Sequence, residues 1–465
     1  MTRDQRLILT IAVLASFVAF LDGSVINVAL PAIGEDLGGG LTTQQWVVDA
    51  YLITLGSLIL VAGSLSDVYG RVLVLRWGLV GFGLTSVLCA VAPTAEILIV
   101  ARGLQGVAGA LLVPSSLALI LSAFRGAAQA KAIGTWTAWT SGAFIAGPIL
   151  GGLFVDFLSW RLVFGINVVP IAVTLVLLAM VDHRDTRDRS GSVDLGGAVL
   201  GVVGIGAPVF ALIEQANFGW SSPVVVVPLV VGIASFVAFV WRQRVAREPM
   251  MPLSLFRVRN FTVGNIATFF VYAALSLGGF IVAVFLQQSA GYSATLAGAA
   301  FVPVTFMNIA LSTLFGSLAG RYGPRLFMSV GPMVAGIGYL LMLAIDEDAP
   351  YLTTVLPGVL VFGLGLSITV APLTAAILGS ISERQAGIGS AVNNAVSRVA
   401  GLIAVAVVGV IVGAQLDVEG LHRGLVWTAA LLFAGGTVSA IGIRRTPSRS
   451  APTTGSIPLP EHPQR

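Results

Sequence analysis

Residues 63–70 read GSLSDVYG and residues 316–323 read GSLAGRYG. Five of the eight positions agree, each stretch closes a long apolar run, and arginine follows in both copies, at Arg71 and Arg325. In a chain with 55 glycines the letters alone mean little. Their placement carries the weight: the first copy ends the second apolar run, and the other ends the second such run after residue 260. The copies lie 253 residues apart. Two further runs at 192–243 take up roughly 60 of these, which leaves roughly 190 for each repeated unit, enough for six membrane helices. The repeat therefore predicts six helices, two inserted helices and six more, the paired halves that internal repeats give to transporters.

Working outward, the chain is 56% hydrophobic and 10% charged, with a mean hydropathy of +0.95. Soluble domains are about 25% charged, whereas apolar runs long enough to cross about 30 Å of hydrocarbon recur here from end to end. The fold class is all-α and polytopic. Helices are predicted at 7–30, 43–64, 73–92, 95–119, 131–154, 161–181, 192–213, 222–243, 260–288, 294–317, 326–345, 351–378, 386–413 and 424–443, fourteen in all. They group as a bundle at 1–185, an inserted pair at 186–250, a second bundle at 251–443 and a disordered tail at 444–465, where Pro, Ser and Thr dominate. The first run is too long for a cleaved signal peptide.

Several chemistries are excluded by residues the chain lacks. Its one lysine, Lys131, stands between alanines, so there is no phosphate-cradling GxxxxGK[ST] loop. Active transport must then draw on an ion gradient, and no cofactor is expected beyond a proton gradient as the energy source. Cys89 is the single cysteine, and His183, His422 and His462 are too scattered to ligate a metal.

Alternate connections differ in charge. One set holds Glu35-Asp36, Trp160-Arg161, Asp346-Glu347-Asp348 and Asp417 to Arg423. The other holds Arg71, Arg125, Lys131, Arg184, Arg187, Arg189, Arg242, Arg244, Arg247, Arg257, Arg259, Arg321, Arg325 and Arg384. Basic residues collect in cytoplasmic loops, so both termini are expected in the cytoplasm and the chain in the plasma (inner) membrane. The pI near 9.6 then reflects topology and implies no nucleic-acid partner.

At this point the chain resembles the major facilitator superfamily, and within it the fourteen-helix drug:proton antiporter subfamily. Four stretches carry the resemblance, which spans residues 7 to about 443: LDGSVINVALPAI (21–33), GSLSDVYGRVLVL (63–75), LIVARGLQGVAGA (98–110) and GAFIAGPILGG (142–152). Two weaker ones are SWRLVFGINVVP (159–170) and REPMMPLSLFRVRNF (247–261). Val72 stands where the loop pattern usually carries another basic residue.

The resemblance implies efflux of small amphipathic or cationic molecules in exchange for protons, by a monomer in the lipid bilayer. It implies a conformational latch at Gly63, Asp67, Gly70 and Arg71, with Asp67 and Arg71 spaced as an i, i+4 ion pair. The second copy has Gly320 where the first has Asp67, so a weaker latch is expected there. The fifth-helix antiporter motif consists of Gly142, Gly147, Pro148, Gly151 and Gly152, residues that let backbones approach and bend.

Buried charges point to the coupling site. Asp22 is placed in the outer half of the first helix, and Arg102 and Asp49 fall at similar depth in the fourth and second. Ionisable groups at such depth face one another or a cavity, and arginine does not shed its charge. Arg102 therefore needs a carboxylate or carbonyl nearby, with Asp22 the preferred partner and Asp49 the alternative. Asn27, Gln105 and Arg398 complete the candidate cavity. Glu214 reads as a wet interfacial acid, and helices 7 and 8 as peripheral. A second reading is an exporter of one endogenous metabolite, lipid or antibiotic. An enzyme or receptor without transport would need a clustered catalytic set, which the chain lacks.

Overall fold

The structure, a computed structural model, describes residues 1–181, 194–246, 249–382, 385–413 and 416–444, excepting the side chains of Asp67, Ala127 and Ala130. The linker arginines 184, 187 and 189, Arg247, Arg384, His183, His462, the tail from 445 and the Asp67 carboxylate lie outside the described residues.

Among the described residues, fourteen helices are long and apolar enough to cross a membrane. They are α1 (Arg3–Leu37), α2 (Gly40–Tyr69), α3 (Arg71–Ala90), α4 (Ala95–Ala123), α5 (Gly126–Phe157), α6 (Leu162–Ala179), α7 (Leu195–Phe218), α8 (Pro223–Val245), α9 (Arg259–Gln288), α10 (Ala294–Tyr322), α11 (Pro324–Ala344), α12 (Tyr351–Leu378), α13 (Ala386–Val412) and α14 (Val418–Gly442). An even number of crossings puts both ends of the array on one face.

The repeat is written into the packing. In the first bundle α1 packs on α4, α5 and α6, α2 on α4, and α3 on α4 and α6. In the second, α9 packs on α12, α13 and α14, α10 on α12, and α11 on α12 and α14. Every pair recurs eight helices later. The quoted stretches coincide as well: Gly70 (φ 102°, ψ 142°) joins α2 to α3 and Gly323 (φ 90°, ψ 151°) joins α10 to α11. That left-handed conformation accepts glycine at little cost and other residues only with strain. The turn also places Asp67 near the end of α2 and Arg71 at the start of α3. A turn separates them into two helices, so i, i+4 helical spacing does not apply.

The inserted pair is a hairpin. Gly204 meets the backbone of Phe236 and Gly232 meets Pro208, so α7 and α8 approach at backbone distance. Helix α7 also packs on α2 and α13, one from each bundle, while α8 packs on α7 and keeps most of its surface exposed. Only α8 is peripheral.

Helix ends differ from expectation because polar residues continue a helix past the hydrocarbon. Glu35 and Asp36 belong to the last turn of α1. Asp417 is the N-cap of α14, accepting from the Gly420 N–H at 2.7 Å, so 418–423 is helix and not loop. Asp22 stands twentieth of 35 residues in α1, within about 3 Å of its midpoint at 1.5 Å per residue. The outer-half placement shifts to mid-helix because α1 outruns its apolar core at both ends.

Candidate functional site

Helices α1, α2, α3, α4 and α6 converge on a dry polar cluster. The Arg102 guanidinium on α4 pairs with Asp22 on α1, Nη1 to Oδ2, at 2.7 Å, and both side chains are 1% exposed. The same Nη1 donates to Gln105 Oε1 at 2.7 Å, and Arg102 Nε donates to the Val47 carbonyl of α2 at 2.9 Å. Its guanidinium carbon sits 4.3 Å from the Tyr51 ring centroid, a cation–π contact. Asp22 Oδ1 accepts from Gln105 Nε2 at 3.0 Å and from Asn167 Nδ2 at 2.9 Å. Gln105 also donates to Ser86 Oγ of α3 at 3.0 Å. A carboxylate with one charged and two neutral donors has its lone pairs well met.

Asn167 and Ser86 were not singled out from sequence. Asn167 lies where α6 interrupts its regular winding, between Leu162–Gly165 and Val168–Ala179. A lone amide in an apolar run was the available signal.

Asp49 is the unlike acid. It is 0% exposed, and neither carboxylate oxygen has a hydrogen-bond partner. Arg102 goes to Asp22, so Asp49 is not its partner. On α2, Gln45 donates to the Val405 and Ala406 carbonyls of α13 at 2.7 and 3.1 Å. Gly56 approaches Arg398 and Val399 of α13. Helical spacing puts Asp49 on this same stripe, one turn from Gln45, at the seam between bundles.

Arg398 of α13 is half-buried, reaches across to the Phe20 ring at 5.9 Å, and makes no ion pair among the described residues. Asn27 is half-buried and takes no part in the Asp22 cluster. Glu214 is half-buried and accepts from Trp46 Nε1 at 2.8 Å and Asn217 Nδ2 at 2.9 Å, so it pins α7 to α2. To the interfacial position read from sequence this adds a bond between helices.

The fifth-helix glycines divide their work. Gly147 and Gly151 seat α1 at Ser24, Val25 and Val28, whereas Gly152 faces the backbone of Thr295 in α10. Gly142 and Gly63 face open space. Pro148 presents its carbonyl against Gly298. One turn beyond Gly152, the Asp156 carboxylate accepts the Ala294 and Thr295 N–H groups, each at 2.9 Å. Together with the Gln45 bonds, these contacts tie the bundles at the face opposite the termini. Asp156 was missed in sequence because its partners are main-chain groups.

The sequence profile of the Major Facilitator Superfamily matches residues 12–405 and again 264–462. The chain belongs to the Major Facilitator Superfamily. Relatives include the multidrug resistance protein Stp of Mycobacterium tuberculosis (strain CDC 1551 / Oshkosh), 35% identical over 90% of this chain and 78% of that one. The methylenomycin A resistance protein of Bacillus subtilis (strain 168) is 33% identical over 92% and 90%, and the puromycin resistance protein pur8 of Streptomyces alboniger 34% over 86% and 80%. Among solved structures, a POT family peptide transporter (TM-score 0.70) covers 97% of this chain and 99% of its own. A D-xylose-proton symporter (TM-score 0.68) covers 95% and 98%. Both are 13% identical, which speaks to fold alone. This superfamily member is a multi-pass membrane transporter, and the relatives it resembles are named as multidrug and antibiotic resistance proteins.

Proposed function

We propose that the protein exports amphipathic, often cationic compounds across the plasma membrane in exchange for protons, with both termini cytoplasmic and the monomer as the working unit. The observation that supports it best is the buried Asp22–Arg102 pair in a chain whose relatives confer drug resistance. In this reading a proton arriving at Asp22 displaces Arg102. The guanidinium then keeps only the Val47 carbonyl, Gln105 and the Tyr51 ring, which loosens α1 from α4 and α2. Asp49 is the second proton carrier. A bare, unpaired carboxylate is costly at this depth, so its ionisation favours a seam opened to water, while the neutral acid allows α2 and α13 to close.

The sealed face is extracytoplasmic in this scheme. Asp156 and Gly152 hold it at α5–α10, and residues 63–71 latch the opposite, outward-open state. The units that rock are residues 1–185 and 251–443 around a midplane cavity reached by Arg398 and Asn27, with 186–250 inserted between them.

The test is uptake of ethidium and of puromycin into proteoliposomes under an imposed pH gradient, with wild type and Asp22→Asn side by side. Gradient-driven uptake by wild type and its loss in the variant is the expected result; full uptake by the variant would sink the coupling role. A second reading, export of a single antibiotic, is favoured by relatives named for methylenomycin A and for puromycin alone. It predicts one active compound in that panel.

A further inference from the structure

A cavity of about 680 Å³ lies between the inserted hairpin and the bundle seam, running from the middle of α2 to the segment before α9, and shares no lining residue with the Asp22 cluster. Its walls come from α2, α7, α8, α9, α13 and the segment before α9. Every lining side chain but one is apolar. Three wall residues on α8, Ile233, Phe236 and Val237, are 55%, 47% and 62% exposed, so the chamber meets the membrane-facing surface there.

The exception is Ser57. It is 7% exposed, lines the chamber, and its hydroxyl has no hydrogen-bond partner. Buried hydroxyls elsewhere in these helices turn back to a carbonyl of their own helix, as Ser24, Thr268, Ser367 and Thr428 do. Ser57 forgoes that bond. An unmet buried hydroxyl costs about 1–3 kcal/mol, so its partner is to be sought in the chamber.

We infer that this chamber binds an uncharged, hydrocarbon-rich small molecule carrying one hydrogen-bonding group, drawn from the bilayer. The volume suits a drug-sized ligand. Among the described residues no ionisable side chain lines the wall. A charged ligand has nothing to meet there. Ser57 is eighteenth of 30 residues in α2, close to the helix midpoint. Phospholipid ester oxygens stay near the edge of the hydrocarbon, roughly 15 Å from its middle, so an acyl chain leaves Ser57 unmet while a molecule with its polar group mid-body satisfies it. The chamber shares no lining residue with the Asp22–Arg102 cluster.

The test uses the full chain in phosphatidylcholine nanodiscs and three photoreactive probes. These are a long-chain secondary alcohol with a mid-chain hydroxyl, the matching alkane, and a phosphatidylcholine labelled in one acyl chain. Crosslinks are mapped by peptide mass spectrometry. The alcohol is expected to label lining peptides of α2, α7 and α13 above a lipid-facing stretch of α3. Ser57→Ala should lower that labelling about three- to tenfold, the worth of one hydrogen bond, and leave alkane labelling unchanged. Gly201→Leu and Ala395→Leu fill the chamber from opposite walls and should each lower both; two variants guard against one that fails to fold. Ser57→Ala should keep or raise the melting temperature, since it deletes an unmet group. Labelling no stronger than at α3, or unaffected by both filling variants, overturns the site. Phospholipid labelling equal to that of the alcohol, with Ser57→Ala without effect, overturns the proposed ligand in favour of an acyl chain.

Discussion

Neutralising Asp22 tests the central pair most directly, because the structure sets the size of the effect. The charges of Arg102 and Asp22 sit about 4 Å apart between centres, worth about 4 kcal/mol at an effective dielectric near 20. Asp22→Asn keeps the shape and one acceptor for Asn167 or Gln105, but leaves Arg102 buried without a counter-charge. Breaking such a pair on one side costs about 3–5 kcal/mol. Arg102→Met strands Asp22 in turn and should cost as much. With both changed, neither charge remains to be stranded, and the double variant should lie within about 1 kcal/mol of wild type. The assay is unfolding in mixed micelles titrated with dodecyl sulfate, read for all four proteins. A coupling of roughly 5–10 kcal/mol is expected, the two single costs less that of the double. Additivity within about 0.5 kcal/mol, the behaviour of independent sites, would refute the pair as a mutual dependence. Gradient-driven uptake should not return in the double variant, which separates stability from coupling.

Other perturbations read other parts of the molecule. Gly152→Val puts branched carbons against the Thr295 backbone and should separate α5 from α10; spin-label distances between the two helix ends should lengthen, and unchanged distances would contradict a tight seam. Gly70→Ala and Gly323→Ala each force a left-handed residue and should cost about 1–3 kcal/mol apiece in the same micelle titration; a cost at only one position would deny the two turns equivalence. Asp194 resists partial burial through the Gly197 N–H and the Arg242 guanidinium, which hold its carboxyl below the usual carboxylate range. A lowered folded value means its stabilisation is present above the unfolded value near 3.9 and is lost as pH falls through the folded one. Melting of wild type should therefore drop below about pH 4 more steeply than that of Asp194→Ala, which is already weakened by about 1 kcal/mol through loss of the cap; parallel curves would remove the role.

The helix count and the eight-helix repeat were legible because a membrane imposes length and apolarity on every crossing, and because one glycine turn was kept in both copies. Helix ends were not, since Glu35, Asp36 and Arg423 lie where interfacial water tolerates charge and the hydropathy signal stops before the hydrogen bonding does. For the site, depth along the helices narrowed Arg102 to two acids. Choosing between them needed the rotation of α1 against α4, which spacing in one helix does not encode. Asn167 and Asp156 stayed hidden for separate reasons: one acts from an irregular turn of α6, the other through main-chain amides that have no letter of their own.

The hairpin of α7 and α8 has a mechanical consequence. Lipid tails are as apolar as its valines, so no solvent pressure drives it onto the bundles. What fixes it is the bond of Trp46 to Glu214 near one end, together with close glycine packing inside the hairpin. Because α7 leans on helices of both bundles, any rocking between them slides it along at least one. A body bonded to α2 near one end and held along its length by side-chain packing alone turns most easily about that end, and it would sweep lipid aside with each cycle.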